Sequence, residues 1–147
     1  MIVYRITTEE WSKKLTASGN AARWNSRGNF MIYTAQSRAL ACLENLVHRS
    51  GEGNSALYKV MLIDVPDNLE IETTDVKKLK KDWYSMVNYP YCQSIGDKWL
   101  QAAETVALKI PSSVIKQEFN FLLNPNHSDF KKIKLAGVES FDFDERF

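Results

Sequence analysis

A chain of 147 residues is the size of one domain and long enough to close a hydrophobic core without disulfide or metal staples. Hydrophobic residues make up 44% and charged residues 25%, and the net charge is only +1. So small a charge supplies no global field toward nucleic acid or membrane, which argues against direct DNA binding and against an electrostatically driven ribonuclease.

Cys42 and Cys92 lie far apart in no metal-like spacing, so no disulfide framework is implied, which fits a reducing cytoplasm. Cys42 sits among apolar residues at helical spacing and reads as a buried free thiol. The opening MIVYRITTEE lacks the basic and apolar regions of a signal peptide. No apolar run approaches the roughly 20 residues that span a bilayer. The expectation is a cytoplasmic chain that binds no membrane. With no internal repeat, low-complexity tract or long linker, residues 1–147 read as a single domain.

In chain order, Ile2 to Ile6 alternates and is rich in β-formers, so a strand is expected. Thr7 to Gly28 reads as a short helix and a long loop, anchored by Trp11 and Trp24. Phe30 to Thr34 reads as a second strand. Ser37 can cap a helix that runs to about His48 and stops near Gly51, with Ala39, Leu40, Leu43, Leu46 and Val47 as its apolar face. Leu57 to Val65 is the clearest strand, ended by Pro66, and Leu69 to Glu72 is a further candidate. Asp75 to Tyr91 gives no pattern; its lysines Lys77, Lys78, Lys80 and Lys81 read as a solvated face. A helix over Ser94 to Ala103, with Trp99 and Leu100 inward, precedes strands at Val106–Ile110, Phe119–Leu123 and Ile133–Val138. Strands outnumber helices and the connections are mixed, so the expected class is α+β.

Several polar residues stand where the local pattern wants apolar ones. Arg5 lies between Tyr4 and Ile6 in the first strand, and Tyr33 ends the second. Glu44 projects from the shoulder of the apolar helix face. Burying an ionised carboxylate costs several kcal/mol unless it is paired, so Glu44 needs a partner or a job. Read alone, Glu44 fits a salt bridge to Arg5 or Arg23, or exposure at the helix edge. Arg5 fits an edge-strand surface charge, Tyr33 a core residue and Ser112 a turn residue. His48 lies at a helix end where a cation suits the dipole, and His127 lies in a loop. Neither has a second histidine at metal spacing, so no metal site is expected. Without a P-loop or a GxGxxG stretch, a dinucleotide would not be bound in the Rossmann manner.

Taken in order, these residues resemble a known family. Val3-Tyr4-Arg5-Ile6 resembles the opening of RES-domain proteins. Ala22-Arg23-Trp24-Asn25, Gly28, Ile32-Tyr33-Thr34-Ala35 and Ser37 resemble their glycine–arginine–tryptophan and tyrosine block. Ala41-Cys42-Leu43-Glu44 with Val47-His48 resembles their glutamate helix. Ile110-Pro111-Ser112-Ser113-Val114, Asn120 and Leu123-Asn124-Pro125-Asn126-His127 resemble their serine block, and Phe141 to Phe147 their usual ending. Ala22 stands where many members have glycine, and Asp75 to Tyr91 matches poorly.

The resemblance implies a RES domain with an α+β, ADP-ribosyltransferase-like fold of mixed sheets and a few short helices. It implies a bacterial toxin that cleaves NAD+ at the nicotinamide–ribose bond, with NAD+ as substrate and no separate cofactor. Water, phosphate or a protein would accept the ADP-ribosyl group. The implied partner is a cognate Xre-type helix-turn-helix antitoxin that covers the active site, with a toxin homodimer inside the complex. On this reading Glu44 faces the oxocarbenium-like ribose, Arg5 and Arg23 clamp the two phosphates, and Tyr33 stacks on nicotinamide. Ser112 and Asn120 would bind ribose or phosphate oxygens. The competing readings are a toxin that ADP-ribosylates a specific protein, a ribonuclease toxin, and a module that binds a nucleotide without turning it over.

Overall fold

In a computed structural model, which describes residues 1–49 and 57–147, the alternating segments fold into one seven-stranded sheet. The first two strands are β1 (Ile2–Thr8) and β2 (Ile32–Ala35); β3 (Tyr58–Asp64) and β4 (Ile71–Thr73) come next. The last three are β5 (Ala107–Pro111), β6 (Phe119–Leu123) and β7 (Lys134–Phe141). The spatial order is β4-β5-β6-β2-β1-β3-β7, antiparallel except for the parallel β4–β5 pair. The helices are α1 (Glu9–Ser12), α2 (Arg38–His48) and α3 (Tyr89–Ala102).

The period-2 segments lie where alternation puts them, within a residue or two. β7 runs three residues beyond the expected Val138. Phe30 lies outside β2 and is exposed, because the chain reaches the sheet only at Met31 and Ile32. The expected stop of α2 near Gly51 lies outside the described residues. α3 begins at Tyr89, five residues before the expected Ser94, because Pro90 occupies its first turn, where a missing N–H leaves nothing unpaired.

Three expectations about burial are corrected. α1 is only one turn long and buries Ser12, so Trp11 is 41% exposed and anchors nothing. Cys42 is half-buried, and the fully buried thiol is Cys92, which donates to the Trp83 carbonyl oxygen. α2 buries Leu40 of its expected apolar face, together with Ala41, but leaves Ala39 and Val47 exposed. Burial raises both thiols above the ordinary cysteine range, so neither is an activated thiolate.

Two hydrophobic clusters and one close approach of backbones fix the sheet and the loop that bears Arg23. Met61, Ile63, Ile32 and Leu123 form the core on one side of the sheet, while Trp24, Trp83, Trp99 and Ile110 form another beneath α3. The loop that carries Arg23 and Trp24 is closed by a hydrogen bond from Gly28 N to Gly19 O at 2.9 Å, with φ of +88° and +77° at those two glycines. Loop and helix then meet at Gly96 of α3, where a Cβ would overlap the Trp24 carbonyl oxygen. Gln93 Nε2 donates to Ala22 O, and both Asp97 carboxylate oxygens bind Ser26, so three residues on one face of α3 hold the loop.

Gly96→Ala is therefore expected to force helix and loop apart, lowering stability by about 1–3 kcal/mol in urea unfolding. Gly137→Ala, where nothing lies within 4 Å of the added carbon, should stay within about 0.5 kcal/mol of the parent. Equal effects would show that the close approach at Gly96 carries no weight.

Candidate active site

β1 pairs with β3 along its whole length but meets β2 at a single position, Tyr4 opposite Ala35. Had that antiparallel ladder continued, Arg5 would face Thr34 and Ile6 would face Tyr33. Instead the strands splay there, and those four residues line a cleft of about 350 Å³. Its other walls are α2, the loop through Arg23 and Trp24, and the β5–β6 end with Ile110, Ser113 and Asn120. The opening in the sheet is thus the site, and each element beside it contributes a polar group.

From α2 the contributors are Ala41, Glu44, Asn45 and His48. That spacing of i, i+3, i+4 and i+7 puts them on one face of a helix, the stripe that ordinarily packs a core. Glu44 is 19% exposed, and its Oε1 accepts from Ser112 Oγ at 2.8 Å and Asn120 Nδ2 at 2.6 Å. Neither Arg5 nor Arg23 is its salt-bridge partner, contrary to the simplest structural expectation. Among the described residues its one ion-pair neighbour is His48, 58% exposed, whose Nε2 lies 3.8 Å from Oε2.

Ser112 is a turn residue that also holds Glu44. The amides of Val114 and Ile115 each donate to its Oγ at 3.0 Å. With two donors aimed at the oxygen, its one proton is left to point at Glu44. Asn120 lies on β6 opposite Ala35 of β2 and Ile110 of β5, so its amide is fixed by the sheet register. Its Oδ1 is buried without a hydrogen-bond partner.

Arg5 is not an edge charge, since β1 lies inside the sheet between β2 and β3. Its guanidinium donates to Thr16 O at 2.7 Å, and burial lowers its pKa from the ordinary value. Arg23 reaches the carbonyl oxygens of Trp83 and Ser85 at 3.3 and 3.4 Å and stacks 4.5 Å over the Tyr89 ring. Among the described residues neither arginine has a carboxylate partner. The Tyr33 ring lines the cleft while its hydroxyl donates to Asn25 Oδ1 at 2.6 Å and accepts from Trp24 N at 3.1 Å. Burial raises the Tyr33 phenol well above its ordinary pKa of 10.0.

Of the six candidate residues, Arg5, Arg23, Tyr33, Glu44 and Asn120 line the cleft, and Ser112 lies fully buried behind it. Sequence reasoning missed Asn45, His48 and Asn25. The first two were legible as polar residues three to four positions apart from Ala41 and Glu44. Asn25 carries no such signal: it is buried in its loop, and its Nδ2 donates to the carbonyls of Asn20 and Asn29, both at 2.9 Å. Among the described residues no group of three or more acidic, histidine or cysteine side chains is placed to hold a metal, and no helix is long and apolar enough to cross a membrane.

The architecture has a close relative among solved structures. It superposes on a chain of the Mycobacterium tuberculosis MbcT–MbcA toxin–antitoxin complex with a TM-score of 0.77, covering 95% of this chain and 83% of that one at 18% identity. The fold class is α+β, built on a mixed sheet with few short helices. Residues 2–144 match the RES domain, and the chain belongs to that family. It is 31% identical to Toxin Res of Photorhabdus laumondii, over 97% of this chain and 93% of that protein. It is 32% identical to Toxin Res of Yersinia enterocolitica, over 99% of both. A Sphingobium protein named Prs ADP-ribosylating toxin is 36% identical over 84% of this chain and 78% of its own length.

Tyr33→Phe leaves the Trp24 amide and Asn25 Oδ1 without their shared partner, which is expected to lower stability by about 1–3 kcal/mol. The sign of its pH dependence follows from the raised phenol pKa. Folding favours the neutral form, so the contribution is complete below the unfolded value near 10 and is lost as pH rises beyond it. Urea unfolding between about pH 8 and pH 11 should show the parent losing more stability than Tyr33→Phe. Parallel loss in the two proteins would contradict the burial of that hydroxyl.

Proposed function

We propose that the chain is the toxin of a toxin–antitoxin pair and that it consumes NAD+ by breaking the nicotinamide–ribose bond. The observation that carries the reading is a cleft with three charges left unneutralised by one another. Arg5 and Arg23 have no acidic partner among the described residues, and Glu44 is held by neutral donors. NAD+ complements such a set, with two phosphates to meet guanidinium groups and a ribose that becomes positive as nicotinamide leaves.

When the bond from ribose C1′ to the pyridinium nitrogen breaks, its electron pair goes to nicotinamide, which departs neutral. The positive charge passes to the ribose as an oxocarbenium-like centre. A carboxylate beside it stabilises that centre, and fixed hydrogen bonds from Ser112 and Asn120 spare it from reorienting during the reaction. The Tyr33 ring, on the same wall, offers a face for nicotinamide. The unpaired Asn120 Oδ1 suits a ribose hydroxyl as donor.

A second reading, transfer of ADP-ribose to a protein, has specific support in the 36% identity to the Prs ADP-ribosylating toxin. Both readings use the same bond cleavage and differ in the acceptor. The partner belongs to the proposal as well: an antitoxin of the Xre helix-turn-helix type that covers this cleft.

Expression in bacteria should stop growth and deplete intracellular NAD+, while Glu44→Gln, which keeps the shape and loses the charge, should do neither. In purified enzyme, loss of that charge should slow nicotinamide release by about 10²-fold or more. Arg5→Lys should also fail, since lysine cannot supply the two-point fork. Growth arrest with normal NAD+ content overturns NAD+ consumption, and labelled ADP-ribose appearing on one protein selects the second reading.

A further inference from the structure

Residues 75–88, most of the stretch that sequence patterning left unassigned, form a shelf against Arg23, one of the residues that line the cleft. The segment has two 3-10 turns, Val76–Lys78 and Met86–Asn88, and no strand or helix of its own. It is firmly anchored: Trp83 is buried against Trp24, with ring centroids 5.7 Å apart, and Leu79 packs on the same core. Yet Met86 and Val87, adjacent in sequence, are 77% and 78% exposed, and Tyr84 is exposed beside them. An anchored backbone that holds large apolar side chains in water, rimmed by polar residues, marks an interaction surface.

The charges around the shelf say what kind of partner fits. Lys77, Lys78, Lys80 and Lys81 are set on its surface, and none makes a salt bridge among the described residues. Lys116 adds a fifth cation, with Nζ 3.3 Å above the Tyr84 ring. Within the segment only Asp75 and Asp82 oppose them, and Asp75 is occupied in capping the Lys77 amide. In a chain whose net charge is +1, this is a local concentration of positive charge around an apolar pair. A partner segment that buries Met86 and Val87 must be apolar at its centre and acidic at its edges.

The underside of the shelf faces the site. The carbonyls of Trp83 and Ser85 are the ones that hold the Arg23 guanidinium, and Tyr89, just past the second turn, stacks on it. Whatever covers Met86 and Val87 therefore sits one backbone thickness from a cation that lines the cleft.

We propose that this shelf seats an acidic, apolar segment of the antitoxin, which grips Met86 and Val87 and is steered by the lysines. The proposal rests on the toxin–antitoxin reading above and adds the surface and the partner chemistry. The test uses the 147-residue chain and its cognate antitoxin, with affinity read by calorimetry and NAD+ turnover by the free chain read separately. Met86→Asp with Val87→Asp, and separately Lys77→Glu with Lys80→Glu, should each weaken binding at least tenfold. Both variants should release nicotinamide at the parent rate. Raising salt should weaken the parent complex more than the complex of the lysine variant. Undiminished affinity in both variants overturns the surface, even if the parent binds antitoxin and consumes NAD+. Failure of the parent to bind the antitoxin overturns it too. Variants that alter self-association by light scattering but not antitoxin affinity overturn it in favour of a second copy of the chain. If the parent binds and both variants weaken while no NAD+ is consumed, the surface stands and the enzymatic reading fails.

Discussion

The hydrogen bonds on Glu44 come from neutral groups, and that constraint organises the rest of the cleft. Had Arg5 or Arg23 paired with it, the carboxylate and the guanidinium would have cancelled each other's field at close range. Ser112 and Asn120 orient the carboxylate without neutralising it. Taking a carboxylate partly out of water is unfavourable unless its oxygens are bonded, and two bonds to one oxygen meet part of that cost while leaving the other oxygen open toward His48. The result is an anion fixed in place whose charge is available to a ligand.

That arrangement needs three parts of the chain that sequence distance keeps apart. Ser112, just past β5, and Asn120 on β6 stand on one side of the parting in the sheet, and α2 hands Glu44 across from the other. The parting lies on the edge of β1 opposite its full ladder with β3, where β1 touches β2 only at Tyr4 and Ala35. On the far wall the Arg23 loop has almost no regular structure, so it is held by side chains. Asn25 bonds it from within, the Tyr33 hydroxyl ties it to β2, and Gly96, Gln93 and Asp97 dock it on α3. A change in Asn25, Gln93, Gly96 or Asp97 would move Arg23 although none of the four lines the cleft.

Much of this was legible in the residues, and the failures have physical reasons. Strand alternation depends only on which side chains face a core, so it located every long strand. Arg5, Tyr33 and Glu44, the polar residues that broke local pattern, lie together at one cleft, and so do Arg23 and Asn120, with Ser112 behind it, whose candidacy rested on the family resemblance. What pattern cannot carry is partnership across the fold. Nothing in the sequence says that the hydroxyl at 112 and the amide at 120 meet the carboxylate at 44, and the nearest guess was an arginine. The apolar reading of α2 erred because Val47 and Ala39 are apolar residues in a helix that turns a polar stripe inward. Trp11 misled because a large ring signals burial only when enough structure surrounds it, and a one-turn helix does not supply that. Asp75 to Tyr91 gave no period because its conformation is set by one buried anchor, Trp83, and not by a repeating face.

The most direct measurement is the crystal structure of the Glu44→Gln protein soaked with NAD+, since the substitution keeps the hydrogen-bonding shape of the cleft while removing the charge proposed to drive turnover. The expected result is intact dinucleotide in the opening between β1 and β2. Its nicotinamide riboside should lie against residue 44 and Tyr33, with the pyrophosphate toward Arg5 and Arg23. A dinucleotide bound elsewhere on the chain, or an empty cleft at saturating NAD+, would contradict the account.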